Sequence, residues 1–215
     1  MSYPKKYASF TNREGRAAFL AREFASELAS SSSILDVGCD YNSLKKIVGS
    51  KVTGVDLYGE PDIRIDFEKD ALSQFDDNAF DFIVCTEVLE HLDNLHLMVD
   101  ELFRVSNRYV LISLPNSLSV FAKWNIVFRD TAGKYYGLPH RRPEDRHRWF
   151  FSYKDIDAFF RQYASDHEYE LVRRFLLMNF SSGWRGSLMR FFIRTFGINN
   201  ASASYWLLLE KPHGN

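Results

Sequence analysis

Apolar positions along the first half of the chain switch between two periods. Behind Thr11-Asn-Arg-Glu14, which has the form of a helix capping box, Ala17, Leu20, Ala21, Phe24 and Leu28 recur at the spacing of one helix face. The serine run at 30–33 reads as a loop. Short apolar runs follow at 34–37, 51–56, 62–66, 80–85 and 108–114, the last stopped by Pro115. Each has the length of a strand, and 62–66 alternates with period two. Between them lie a brief helix with Leu44, Ile47 and Val48 on one face, and a longer one capped by Asp93. The longer helix carries Leu95, Met98, Val99, Leu102 and Phe103 on one side. Strands alternating with helices predict parallel βαβ units and a sheet covered on both faces.

The pattern then breaks. Residues 116–151 show no clean period, and so long an irregular stretch inside a domain is usually functional. Ser152-Tyr-Lys-Asp155 is a second capping-box candidate, ahead of a helix with Ile156, Phe159, Phe160 and Tyr163. Residues 169–178 and 204–209 read as a sixth and a seventh strand. The stretch between them, 179–203, is amphipathic: Trp184, Leu188, Phe192 and Phe196 share a helical face, with Arg190 and Arg194 opposite.

In an open parallel sheet, ligands bind beyond the carboxyl ends of the strands. Those ends hold Asp36, Gly38, Cys39 and Asp40 after the first strand, Asp56 after the second, Asp66 and Phe67 after the third, and Thr86, Glu87 and His91 after the fourth. A carboxylate ending the second strand can accept hydrogen bonds from both ribose hydroxyls of a nucleoside cofactor. Gly38 allows close backbone approach to a ligand. So many acids would repel a pyrophosphate and favour a cation.

Charge sharpens this. The 215-residue chain has a formal net charge of −1, but residues 1–110 hold 12 Lys+Arg against 19 Asp+Glu and residues 111–215 hold 15 against 9. The basic half is also the aromatic half. Cys39 and Cys85 each end an apolar run and read as small buried thiols; they are not spaced as metal ligands, and no metal site is expected. The N-terminal residues show no apolar signal region, and no run approaches the ~18 apolar residues of a membrane span, so a cytoplasmic protein is expected.

The segments ILDVGCD, VTGVD, FDFIVCTEVLEHL and YVLISLPN, in that order and spacing, resemble the class I S-adenosylmethionine-dependent methyltransferases. The likeness is greatest to the small-molecule type in which LEH follows the fourth strand. It covers about residues 30–116, and the seven-strand pattern extends it to the C-terminus. The resemblance implies an α/β, Rossmann-like three-layer sandwich whose seven-stranded, mostly parallel sheet ends in an antiparallel strand. It implies a single domain over 1–215, with a cofactor-binding half at 30–116 and substrate-side insertions at 117–151 and 179–203. It implies S-adenosylmethionine as cofactor. Asp36 and Gly38, with Cys39 and Asp40 in the same turn, would hold the amino-acid part, and Asp56 the ribose. Leu57, Asp66 and Phe67 would lie by the adenine, and Thr86, Glu87 and His91 would line the pocket beneath the methyl group.

One position departs from the family pattern: Asp40 stands where the first motif usually has its second glycine. Asp and Asn tolerate positive φ better than other residues with a Cβ, so an intact loop is expected. A nicotinamide dehydrogenase is excluded by the absence of a G-x-G-x-x-G turn. Methyl transfer to oxygen or nitrogen can need a group that takes a proton. The segment 134–149 offers His140, Asp145 and His147 for this, among Arg141, Arg142, Arg146 and Arg148. Arginine suits planar recognition of carboxylate or phosphate, so the expected acceptor is anionic, and small or lipid- or saccharide-linked. Residues 183–197 could rest on an anionic membrane surface. Two alternatives stay open: a non-catalytic cofactor-binding module, motivated by Asp40, and an RNA methyltransferase, motivated by the basic half. Nucleic acid is not the expected partner, because no RNA-binding module is visible.

Overall fold

Eight strands pair into one sheet in the computed structural model, which describes residues 3–138, 140–141, 146–180, 183–196 and 199–212. In chain order they are β1 (Lys5–Ala8), β2 (Ile34–Val37), β3 (Val52–Asp56), β4 (Ile63–Arg64), β5 (Phe80–Thr86), β6 (Ser106–Pro115), β7 (Glu170–Asn179) and β8 (Ser204–Glu210). Across the sheet the order is β1-β7-β8-β6-β5-β2-β3-β4. Strand β8 runs antiparallel to both β6 and β7, and every other pair is parallel. The expected mostly parallel Rossmann-like sheet with its antiparallel last strand is therefore present, with one strand more than the seven expected. The addition, β1, is a four-residue edge strand with two lysines, and no apolar alternation announces it. Such short, lysine-bearing edges are how sheets avoid pairing with other chains.

Alternate residues of the central strands feed two cores. On one face Ile34, Phe82, Val84, Leu111, Phe175, Trp206 and Leu208 meet α1 (Arg13–Glu23), α2 (Ala25–Ser30) and α3 (Ser43–Val48). On the other, Leu35, Ile83, Val110, Ile112, Leu176 and Leu207 meet α4 (Leu95–Arg104) and α7 (Tyr153–Asp166). This makes the three layers, and it explains why the strands read as continuous apolar runs.

Local signals were partly misplaced. The cap of α1 is Asn12, whose side chain accepts from Gly15 N, and not Thr11. The predicted first helix breaks at Phe24 into α1 and α2. Asp93 does not cap α4; that place belongs to Asn94, while the Asp93 N–H donates to Glu68 Oε1 at 2.7 Å. The box at Ser152 and Asp155 forms in full. The third strand shrinks to two residues; beside it the Asp62 carboxylate accepts from Gly54 N at 2.8 Å, while Asp62 N donates to Gly54 O at 2.9 Å. The stretch 116–151 is not structureless. It holds α5 (Val120–Arg129), capped by Ser119, and a single turn, α6 (Gly133–Tyr136).

One buried carboxylate ties the far edge of the sheet together. Asp157 on α7 accepts from the hydroxyls of Tyr205 at 2.6 Å and Tyr3 at 2.9 Å, from Arg161 at 3.0 Å, and from Arg174.

Candidate functional site

The carboxyl ends of β2, β3 and β5 open into a cleft of about 400 Å³ lined by Gly38, Asp40, Asp56, Leu57, Asp66, Phe67, Glu87 and His91. A narrower extension, sharing Arg13, Arg16 and Gly38, reaches Asp36, Cys39 and Thr86. The strand-end residues singled out in the sequence thus lie together, because parallel neighbours end at one edge of the sheet.

The turn after β2 explains its residue types. Gly38 has φ +78°, and a Cβ there would lie 2.3 Å from Val88 Cγ2, so the glycine is required by the adjoining turn as well as by its own backbone. Asp40 and Asn42 take φ of +53° and +55°. Asp40, at the position of the departure, therefore adopts the left-handed conformation that short polar side chains tolerate. Its N–H donates to Asp56 Oδ2 at 2.9 Å, and its own carboxylate pairs with Arg13 at 2.7 Å. The second oxygen of Asp56 accepts from Tyr58 N at 3.1 Å. A carboxylate offers about four lone-pair sites, so Asp56 retains acceptor capacity toward the cleft.

Burial governs the acids deeper in. It pushes Asp36 up to about 7; the Arg16 guanidinium opposes the shift and the Asp56 charge adds to it. Glu87, at φ +58°, is also raised by burial, with Arg16 and a hydrogen bond from Ser113 Oγ at 3.2 Å opposing. Burial drives the Cys39 thiol to about 12, with the Asp36 charge adding to the shift, so this cysteine is no nucleophile at neutral pH. Asp66 is held below the ordinary carboxylate value by Lys69. Phe67 is buried, and its carbonyl accepts from Asn94 Nδ2 at 2.9 Å.

A nucleoside carrying an amino acid and a positive charge fits this donor set. Asp36 offers a buried carboxylate to an ammonium or sulfonium, Arg16 a guanidinium to a carboxylate, Asp56 acceptors to vicinal hydroxyls, and Leu57 and Phe67 an apolar flank to a base. Arg13 and Arg16 escaped the sequence reading. They are polar positions on an amphipathic helix, and only the packing of α1 over the end of β2 brings them to the cleft.

A second cavity, about 200 Å³, lies between α5 and α6 and is lined by Ser117, Ile126, Tyr135, Tyr136, His147 and Phe150 among others. The two spaces adjoin at a histidine pair: the His91 and His147 rings stand edge to face, 4.8 Å apart. His147 is buried and stacks on Tyr135 at 4.1 Å. Of the other groups proposed for proton transfer, His140 is exposed and lines none of these three spaces. Asp145 lies outside the described residues, as does Arg142.

A family model described as a methyltransferase domain matches residues 7–163. No curated protein matches the chain. Among solved structures it superposes on the methyltransferase domain of bacterial CtHen1 with a TM-score of 0.57 and 16% identity, covering 91% of this chain and 97% of that one. A SAM-dependent methyltransferase from Archaeoglobus fulgidus aligns at TM-score 0.53 and 19% identity over 93% and 95% of the two chains. Magnesium protoporphyrin IX methyltransferase from Synechocystis PCC 6803, solved with bound SAH, aligns at 0.54 and 15% over 95% and 90%.

Proposed function

Because the chain belongs to the methyltransferase-domain family, whose model takes in residues 7–163, we propose that it moves the methyl group of S-adenosylmethionine to an oxygen or nitrogen of a small or carrier-linked, anionic acceptor. The observation that carries this reading is the meeting of two cavities at His91 and His147. One suits the cofactor and the other is free to take an acceptor.

In the cleft, Asp36 and Arg16 hold the amino-acid end, Asp56 the ribose, and Leu57, Asp66 and Phe67 the adenine. The bound cofactor supplies a methyl group on a cationic sulfonium, open to in-line displacement with a neutral thioether as leaving group. The buried acids Asp36 and Glu87 favour that positive charge over an anion. On the acceptor side, Tyr135 and Phe150 wall a ring-shaped group, and the Ser117 hydroxyl, 2.6 Å from that of Tyr136, offers it a hydrogen bond. The exposed Arg141 and Arg146 on the same segment meet an anionic substituent. His147 is the expected proton-transfer group that faces the acceptor. In this reading 1–215 is one domain, with 30–116 serving the cofactor and 117–151 and 179–203 the acceptor.

The test is methyl transfer to a panel of sugar acids, phosphosugars and hydroxylated aromatic acids, with uncharged analogues beside them. Ile126→Trp fills part of the second cavity. It is expected to lower turnover of the best acceptor about tenfold while cofactor affinity, read by calorimetry, stays within twofold. Cofactor binding with no transfer to any acceptor would reduce the chain to a binding module. A short RNA in the panel addresses the second reading, which rests on the basic balance of residues 111–215.

A carrier in a membrane agrees with one further surface. Helix α5 buries none of its residues, with Trp124 59% and Val127 71% exposed, and Trp184 at the start of α8 (Trp184–Phe196) is 72% exposed. Neither helix contains an acid, while Lys123, Arg129 and Arg190 do lie on them. No helix among the described residues is long and apolar enough to cross a membrane. Such helices suit the plane of an anionic interface. The protein is expected to float with vesicles containing phosphatidylglycerol, and less so as Trp124→Glu. Flotation of neither would remove the membrane from the reading.

A further inference from the structure

Glu90 is 1% exposed, yet its Oε2 has no hydrogen-bond partner. It sits in the 3-10 turn Leu89–His91 that follows β5, at the junction of the two cavities. Burying a carboxylate with an oxygen left unmet is costly, by several kcal/mol where the charge is retained. Burial and then the neighbouring Glu87 charge raise its pKa well above the ordinary value, and Arg16 opposes the shift. A buried polar atom without a partner calls for an ion or a water.

Two imidazoles face the same point. One ligand atom each from Glu90, His91 and His147 lie within 4.8 Å of one another, and Glu90 Oε1 is 3.9 Å from His91 Nε2. Each ring has an oxygen beside its Nδ1. His91 Nδ1 lies 3.3 Å from the Arg146 carbonyl, which can only accept, so Nδ1 carries the proton. His147 Nδ1 lies 3.1 Å from the Tyr136 hydroxyl, which is itself 2.9 Å from the Trp149 carbonyl. With the proton on Nδ1 of each ring, Nε2 would be the ligand atom. Histidines that bind metals are commonly oriented in this way, with the other ring nitrogen donating to a carbonyl or another oxygen.

We propose that Glu90, His91 and His147 form a binding site for a divalent first-row cation, which takes the acceptor's hydroxyl as a further ligand. Two imidazoles and one carboxylate suit Zn²⁺, Co²⁺, Mn²⁺ or Fe²⁺ rather than an all-oxygen cation such as Ca²⁺. Ligands about 2.1 Å from a tetrahedral ion lie about 3.4 Å apart, so the three side chains draw together on loading. The cation would give the buried Glu90 carboxylate a charged partner. It also lowers the pKa of a bound hydroxyl. The acceptor O–H then breaks with its proton passing to water. The oxygen bonds to the methyl carbon as the carbon–sulfur bond breaks, and that electron pair leaves on sulfur. His147 acts in this scheme as a ligand, and the acceptor part of the proposal rests on the methyl-transfer reading above.

The test uses the full chain stripped with a chelator and titrated with Co²⁺ and with Mn²⁺. One Co²⁺ per chain is expected, with the visible absorption of imidazole ligation. His147→Ala and Glu90→Gln should each weaken binding at least tenfold, and His140→Ala should leave it unchanged. Calorimetry with S-adenosylmethionine on the same samples reports folding, because His147 does not line the cofactor cleft. If folded wild type takes up neither ion, or if His147→Ala binds Co²⁺ as wild type does, the cation site is overturned and methyl transfer stands. If wild type binds Co²⁺ through these residues but not S-adenosylmethionine, the cation site stands and the methyl-transfer reading falls.

Discussion

Asp56→Ala is expected to raise the dissociation constant for S-adenosylmethionine at least a hundredfold. Each oxygen of Asp56 already accepts one backbone N–H, from Asp40 and from Tyr58. The remaining lone pairs face the cleft, where the ribose hydroxyls would donate. Losing two hydrogen bonds to a charged acceptor, at roughly 1.5–3 kcal/mol each, amounts to about two to four decades in affinity. The same substitution frees the Asp40 amide, so the left-handed turn that shapes the amino-acid end of the cleft loosens too. Asp56→Asn keeps one acceptor oxygen and should lose affinity by an intermediate amount. Titration calorimetry reads both variants, and a constant within threefold of wild type for the alanine form would take Asp56 out of the site. Thermal stability should change little, since Asp56 is half-buried at the mouth of the cleft and outside both cores.

Asp157→Ala should instead cost about 3–5 kcal/mol of folding stability, the usual loss when one partner of a buried charged network is removed. Tyr205, fully buried, would be left with an unmet hydroxyl, and Arg174 on β7 with an unpaired charge. Burial by itself would raise the Asp157 pKa, but the hydroxyls of Tyr205 and Tyr3 and the Arg174 guanidinium outweigh it and hold the group below the ordinary aspartate value. A depressed carboxylate contributes stability above its unfolded pKa, about 3.9, and loses it as pH falls through the folded value. Urea denaturation of wild type and variant should therefore differ fully at pH 7, and the difference should begin to narrow only as pH falls below about 4. A difference under 1 kcal/mol at pH 7 would show that the network carries little. The folded variant should bind S-adenosylmethionine normally, because Asp157 lies on α7, away from the cleft-lining residues.

These two aspartates differ in how visible they are in the sequence. Asp56 ends a strand in a repeating βα pattern, and such a pattern alone places strand ends along one edge of a sheet. Asp157 looks like any polar position on the outer face of an amphipathic helix. Its role depends on Tyr3 and Tyr205, which come from the two ends of the chain. Arg16 is hidden in the same way, and so is the partnership of Glu90 and His91 with His147, 56 residues further on. Helix α5 escaped for another reason. Val120, Phe121, Trp124, Val127 and Phe128 do share one face at helical spacing, but that face is exposed instead of packed on either core, and the short helix is flanked by irregular chain.

Taken alone, the chain determined the layers, the direction of nearly every strand, and the acids and glycine at the strand ends. Those features follow from local periodicity and from the backbone needs of tight turns, which neighbouring residues satisfy. Tertiary structure decided the rest: the edge strand β1, the arginines that face the acids, the second cavity, and the histidine pair where the cavities meet. Each of these depends on contacts between segments far apart in sequence, and no local period records which distant side chain will share a site.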